Sequence, residues 1–221
     1  MRAIIFDLDG TLLDTIEDIS DSMNHVLDMH DFPRHTIEEY KLFVGDGASN
    51  LVKRSVRSFD AAEEILAQLE QEFRVDYDKR QTTKTRPYDG IPELLSELVD
   101  RGIKIAVLSN KPHELTEKII AHYFPDVIFN AVIGQRPGHP IKPDPAVALE
   151  ILEIFGLRSN DVLYVGDTGT DMLTAKAADL TAVGALWGFR DKDELAENGA
   201  DFFAKRPIDI IKRWFGGNND G

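Results

Sequence analysis

The stretch AIIFDLDGTLLDT, Ala3 to Thr15, constrains the fold more than any other feature of this chain. Four apolar residues lead straight into Asp7, with Asp9 and Asp14 close behind. A short apolar run without polar alternation suits a strand of a parallel sheet covered on both faces. Comparable runs recur at Ile103 to Leu108, Val127 to Ile133, Val162 to Val165 and Thr181 to Leu186, and helix-patterned segments separate them from residue 90 onward. Parallel neighbours need crossover connections, so the pattern predicts an α/β fold with a doubly wound parallel sheet, a Rossmann-like core. Residues 16–82 break the rhythm. EDISDSMNHVLDMH, TIEEYKLFV, ASNLVKRSVRSF and AAEEILAQLEQEFRVDYDKR carry apolar residues at helical spacing, with no convincing strand among them. The expected division is an α/β core of residues 1–15 and 83–221 with an inserted α-helical cap of residues 16–82. Leu13 to Ile16 and Thr82 to Gly90 are the linkers, and both are placed to act as hinges.

Composition narrows the chemistry. The chain has 221 residues, enough for one full core and a smaller appended unit. Zero Cys excludes disulfides, thiolate metal sites and cysteine nucleophiles, so any metal is held by oxygen or His. A net charge of -14 with no Lys/Arg-rich run disfavours nucleic acid. No apolar run approaches the roughly 20 residues of a membrane span, and Met1-Arg2 leads directly into a strand. The expectation is a soluble, cytoplasmic protein with no membrane partner. The polar ending GGNNDG is expected to fray.

Three of the apolar runs end on polar residues: IIFD on Asp7, IAVLSN on Ser109 and Asn110, and VLYVGD on Asp167. Ligands of open α/β sheets bind at the carboxyl ends of the strands, where residues distant in sequence meet. Residues two apart on a strand share a face, so Asp7 and Asp9 are expected to aim into one pocket, joined there by Asp167. Two carboxylates about 6 Å apart at an effective dielectric near 20 repel by roughly 3 kcal/mol, so the cluster must hold a cation or a proton. An oxygen-only donor set favours a hard divalent ion, Mg²⁺ first, with Asp7 and Asp167 as side-chain ligands. Asp171, four residues beyond Asp167, falls in the first turn of the helix expected from Gly169. There it either caps the helix in solvent or orients a metal-bound water. Lys142 of IKPDP lies in a loop just before a helix, with Asp144 suited to the N-cap and Pro145 to the first helical position. An isolated loop lysine is ordinarily a surface charge. In an acidic pocket it offers the positive charge that an anionic substrate needs. Ser109 and Asn110 precede the helix KPHELTEKI and can offer a hydroxyl and backbone N–H groups to an anion, or form a plain turn. Gly45 and Gly47 of VGDGAS form an interhelical turn that can bring backbone N–H groups to a ligand.

These residues carry a family resemblance. FDLDGTLLDT, LSN, Lys142 of KPDP and GDTGTD, in that order, resemble the four motifs of the haloacid dehalogenase superfamily of aspartate-nucleophile phosphohydrolases. The resemblance spans nearly the whole chain, the helical cap after the first strand included. FVGDGASNLVKRS, RPYDGIPELLSEL, LSNKP and WGFRDKDELAENGADFFAKRPIDII look most like the phosphoglycolate phosphatase branch. The resemblance implies that Asp7 attacks phosphorus and forms an aspartyl-phosphate, and that Asp9 is general acid and then general base. It gives Asp9 a metal contact through its backbone carbonyl, makes Thr11 a support of the loop, and places Asp171 second in line to the metal. Ser109, Asn110 and Lys142 would hold the transferring phosphoryl oxygens. Asp179 stands where the family often has Gly, which bears on the following turn.

The resulting expectation is a Mg²⁺-dependent phosphatase for a small phosphomonoester, 2-phosphoglycolate first, acting as a monomer or homodimer. Sugar-phosphate phosphatase, pyrophosphatase and hexose-phosphate mutase are alternatives on the same scaffold. A non-enzymatic phospho-acceptor domain is an alternative of another class. Such receivers are about half as long and lack a helical insert after the first strand.

Overall fold

In the computed structural model, which describes residues 1–59 and 61–216, Ala3–Phe6 form strand β1 and all four are buried. Strand β2 (Leu13–Asp14) follows, then helices α1 (Ile16–Met29), α2 (Ile37–Phe43), α3 (Ala48–Ser55) and α4 (Glu63–Arg80). Strand β3 (Arg86–Pro87) and helix α5 (Ile91–Asp100) lead to β4 (Lys104–Pro112), α6 (His113–Tyr123) and β5 (Ala131–Gln135). The chain continues through α7 (Ala146–Phe155), β6 (Val162–Gly166), α8 (Gly169–Ala177), β7 (Thr181–Ala185), α9 (Lys192–Glu197) and β8 (Phe202–Ala204). Apart from Gly216, the polar tail expected to fray lies outside the described residues.

Six strands form one parallel sheet in the order β5-β4-β1-β6-β7-β8, so the doubly wound α/β expectation is borne out. Strand β1 pairs with β4 on one side and β6 on the other. Its side chains divide as a pleated strand requires: Ile4 and Phe6 enter one apolar layer, Ala3 and Ile5 the other. Both faces are covered, which is why the strand reads as a continuous apolar run. Several boundaries differ from the sequence expectation. Strand β4 runs past Leu108 to Pro112, with irregular pairing over its last residues, and so carries Lys111 at its end. Strand β5 starts at Ala131, after the stretch from Val127, and the short β8 was not expected at all. At α7, Pro145 is the cap and Asp144 accepts from the Ala146 N–H at 2.9 Å, so the helix starts one residue later than expected. Asp179 has φ 56°, a left-handed turn conformation that short polar residues tolerate better than most.

Helices α1 to α4 surround a separate apolar cluster in which Met23, Tyr40 and Leu69 are fully buried. Leu115 of α6 and Phe189 after β7 join this cluster, so apolar contact continues from the helical segment to the sheet's carboxyl edge. The two linkers meet as an antiparallel pair, Leu13 with Pro87 and Asp14 with Arg86, closed by an Arg86–Asp14 ion pair at 3.1 Å. Asp18, buried in the first turn of α1, accepts from the Thr83, Lys84 and Thr85 N–H groups at 2.8–3.1 Å. Among the described residues no helix is long and apolar enough to cross a membrane. Asp18→Ala would leave this backbone turn short of its acceptor, and a charged hydrogen-bond partner of this kind contributes about 1.5–3 kcal/mol. Urea unfolding should therefore show a loss of about 3 kcal/mol. A change within about 0.5 kcal/mol would show that the carboxylate does not hold the linker.

Candidate active site

The site begins where β1 ends. The Asp7 N–H donates to Val165 O at 2.9 Å, continuing the sheet one residue past Phe6. The chain then turns: Thr11, Leu12 and Leu13 all donate N–H to Leu8 O, at 3.2, 3.0 and 3.0 Å. Asp9 therefore reaches the same cavity as Asp7 from a turn and not from the strand pleat the sequence spacing assumed. Gly10 has φ 87°, and a Cβ there would stand 2.2 Å from Asp167 Oδ2. Only glycine lets the turn lie against that carboxylate.

Four buried charges meet at this end of the sheet. The Lys142 ammonium lies 2.8 Å from Asp7 Oδ1 and 2.6 Å from Asp171 Oδ1. Asp171 Oδ1 also faces the Tyr164 hydroxyl at 3.3 Å, while its Oδ2 accepts from the Thr168 N–H at 3.1 Å and the Thr168 hydroxyl at 2.7 Å. Asp171 therefore closes a capping box at the start of α8 and anchors Lys142 with the same carboxylate. It is fully buried, which rules out the solvated cap. Asp167 accepts from the Thr11 hydroxyl on Oδ1 and from the Phe189 N–H on Oδ2, both at 2.8 Å. Asp7 Oδ1 is buried, and the contact it has is the Lys142 ammonium.

Three carboxylates and one ammonium leave two negative charges in a buried site. Burial and then Asp171 raise the Asp7 carboxyl well above the carboxylate range, with Lys142 opposing and Asp167 adding to the rise. Burial and Asp171 likewise push the Asp167 carboxyl up to about 7, against the hydrogen bonds from Phe189 and Thr11. Burial alone would lower the Lys142 ammonium, but Asp171 and Asp7 outweigh it and hold its pKa well above the usual value. Asp7, Asp167 and Asp171 each offer one oxygen within 4.8 Å of the others. This all-oxygen trio fits a hard divalent cation. The Asp171 oxygens are engaged by Lys142, Tyr164 and Thr168, so the donors with spare capacity are on Asp7 and Asp167.

The other expected residues divide. Ser109 is buried beside the cavity, where its hydroxyl accepts from the Lys111 N–H at 3.2 Å. The Asn110 amide is occupied by backbone: it donates to Gly45 O at 3.0 Å and Lys142 O at 3.2 Å and accepts from the Lys142 N–H at 2.8 Å. The Asn110 side chain thus fastens the Lys142 loop and the Gly45 turn. Gly45 and Gly47 line the cavity, in left-handed conformations with φ 111° and 85°. The Asp9 side chain lies outside the metal trio and pairs with Lys111 at 3.1 Å. Lys111 is a site residue the sequence reading did not assign, although it adjoins Asn110 at the same strand end. Tyr77 of α4 donated no sequence signal of its own, yet its hydroxyl lies 2.6 Å from Lys111 Nζ. Asp46, between the two glycines, accepts from the Thr170 hydroxyl at 2.7 Å and pairs with Arg54, tying the helical segment to the start of α8.

The sequence model of the family described as haloacid dehalogenase-like hydrolase matches residues 4–185, from β1 through β7. The chain belongs to the haloacid dehalogenase-like hydrolases. Among relatives, this hydrolase is 32% identical over 212 residues to the phosphoglycolate phosphatase of Aquifex aeolicus, covering 96% of each chain. It is 30% identical to the phosphoglycolate phosphatase of Mannheimia succiniciproducens, covering 96% of this chain and 97% of that one. A crystal structure of a predicted phosphoglycolate phosphatase from Haemophilus somnus superposes with a TM-score of 0.89 at 28% identity, over 96% of this chain and 97% of that one.

The raised Asp167 carboxyl gives this hydrolase a pH signature. With a folded pKa near 7 against an ordinary 3.8, the native state holds a proton that the unfolded chain has already lost. The stability this group contributes is full below the ordinary value and is lost as pH rises through the folded one. The melting temperature of the metal-free protein, taken relative to Asp167→Asn, should fall from about pH 5 to about pH 8. A divalent cation should reverse that trend by favouring the ionised carboxylate. A difference that stays flat or rises with pH in the metal-free protein would contradict the assigned charge state.

Proposed function

We propose that this hydrolase is a Mg²⁺-dependent phosphatase acting on a small phosphomonoester, with 2-phosphoglycolate as its substrate and Asp7 as nucleophile. The observation that carries the reading is the Asp7 carboxylate, which lines the cavity at the end of the central strand while its buried Oδ1 is held 2.8 Å from the buried Lys142 ammonium. The phosphoglycolate phosphatases among its relatives support the substrate. So does the cavity, about 70 Å³, well below the roughly 300–1,000 Å³ of pockets for drug-sized ligands.

In this reading an Asp7 oxygen forms a bond to phosphorus as the bond from phosphorus to the substrate's alcohol oxygen breaks. Asp9 gives its proton to that departing oxygen, leaving glycolate and an aspartyl-phosphate. Asp9 then takes a proton from water, whose oxygen attacks phosphorus and releases Asp7 and inorganic phosphate. Lys142 offsets the charge on the transferring group and keeps Asp7 in place, anchored by Asp171 and Asn110. Asp7 and Asp167 would hold the Mg²⁺, which supplies charge neutralisation for the phosphoryl oxygens. Residues 16–82 act as a cap that excludes water, and contacts from Gly45, Asp46 and Tyr77 to Asn110, Thr170 and Lys111 support that role.

Phosphate release across 2-phosphoglycolate, pyrophosphate, sugar phosphates and nucleoside monophosphates, with and without Mg²⁺, tests the reading. We expect 2-phosphoglycolate to lead and chelation to stop turnover. Asp7→Asn should lose about 10³-fold or more in kcat, the scale seen when a nucleophile is removed. Undiminished turnover by that variant would overturn the assigned nucleophile.

A further inference from the structure

Outside the Lys142 cluster, two cations line the cavity: Lys111 at the end of β4 and Arg74 on α4. They differ in what already holds them. The Arg74 side chain is 33% exposed and paired with Glu70 at 2.6 Å. The Lys111 side chain is 4% exposed, with its ammonium 3.1 Å from Asp9 Oδ1, 2.6 Å from the Tyr77 hydroxyl and 4.3 Å from the centre of the Tyr77 ring. An ammonium has three donors, and the partners named here take two of them. Nothing in the phosphoryl-transfer steps derived above uses this buried charge.

We propose that Lys111 is the specificity-determining residue that receives a carboxylate on the leaving group. The inference rests on the phosphatase reading and adds to it a residue for the non-phosphate end of the substrate. If Asp9 protonates the departing oxygen, Lys111 stands one contact beyond that oxygen, on the leaving-group side of the cavity. In 2-phosphoglycolate the carboxylate is attached to the carbon that bears the departing oxygen, so it arrives next to this ammonium. A cavity already lined by Asp7 and Asp9 repels a further carboxylate unless a cation meets it there. A leaving group without a carboxylate leaves the buried charge without that partner, which is how a polar pocket rejects an analogue lacking the matching group. Tyr77 comes from the helical segment and Lys111 from the sheet, so the recognition element is complete only where α4 packs against the end of β4.

Steady-state kinetics on 2-phosphoglycolate and ethyl phosphate, which replaces the carboxylate by a methyl group, test this directly. The wild type should favour 2-phosphoglycolate. Lys111→Met should lose at least about 30-fold more in kcat/KM on 2-phosphoglycolate than on ethyl phosphate, with the excess chiefly in KM. Lys111→Arg should retain most of the preference. Lys111→Gln, which keeps a donor without the charge, should show the same selective loss as Met if either variant folds less well. Equal losses on both substrates would mean that Lys111 acts only through Asp9, and no loss on either would mean that it does not touch the substrate. Either result overturns the inference and leaves the phosphatase reading intact. A wild type that does not favour 2-phosphoglycolate over ethyl phosphate overturns the substrate reading and this inference together.

Discussion

The Lys142 ammonium, buried between Asp7 and Asp171, is the interaction on which the rest of the site depends. Removing one partner from a buried ion pair typically costs about 3–5 kcal/mol, because a charge is left without compensation. Each group in the cluster therefore constrains a different part of the fold. Asp171 fixes the start of α8 through its capping box, and Asn110 fixes the loop that delivers Lys142. Asp7 ties the cluster to the central strand, whose neighbours are both in parallel register with it. Displacing any one of these elements would separate charges that are almost wholly buried.

The cluster is not balanced within the protein. Three carboxylates against one ammonium leave an excess of negative charge, which together with burial raises the Asp7 and Asp167 carboxyls. A fold assembled only for stability would have little reason to keep such a group, since an apolar replacement is often neutral or stabilising. A site that takes up a divalent cation and a phosphoryl group has that reason. The helical segment completes the enclosure, and the residues it brings to the cavity include Gly45, Gly47 and Tyr77.

Much of this was legible in the sequence because β1 is so short. Four apolar residues running into Asp7 located the centre of a parallel sheet, and the endings at Ser109 and Asp167 located its neighbours. Lys142 was legible through the prolines around it, and Asp171 through its place in the first turn of a helix. The side-chain contacts that no local pattern foretold have local reasons. Spacing along an ideal strand cannot register the turn at Leu8, which carries Asp9 away from the metal trio toward Lys111. Nor does an Asn beside a Ser foretell that the Asn110 amide bonds backbone from two distant segments. Lys111 and Tyr77 are 34 residues apart, and their meeting depends on how α4 lies against the sheet, which no local pattern encodes.

The most direct measurement of the central claim is to locate the phosphoryl group during turnover. The protein is mixed with 2-phosphoglycolate and Mg²⁺, quenched in acid within the first turnover, reduced with borohydride and mapped by peptide mass spectrometry. The account predicts that the peptide containing Asp7 carries the reduced side chain that an aspartyl-phosphate leaves behind. Phosphate release with Asp7 unmodified, or with the mark on another carboxylate, would contradict it.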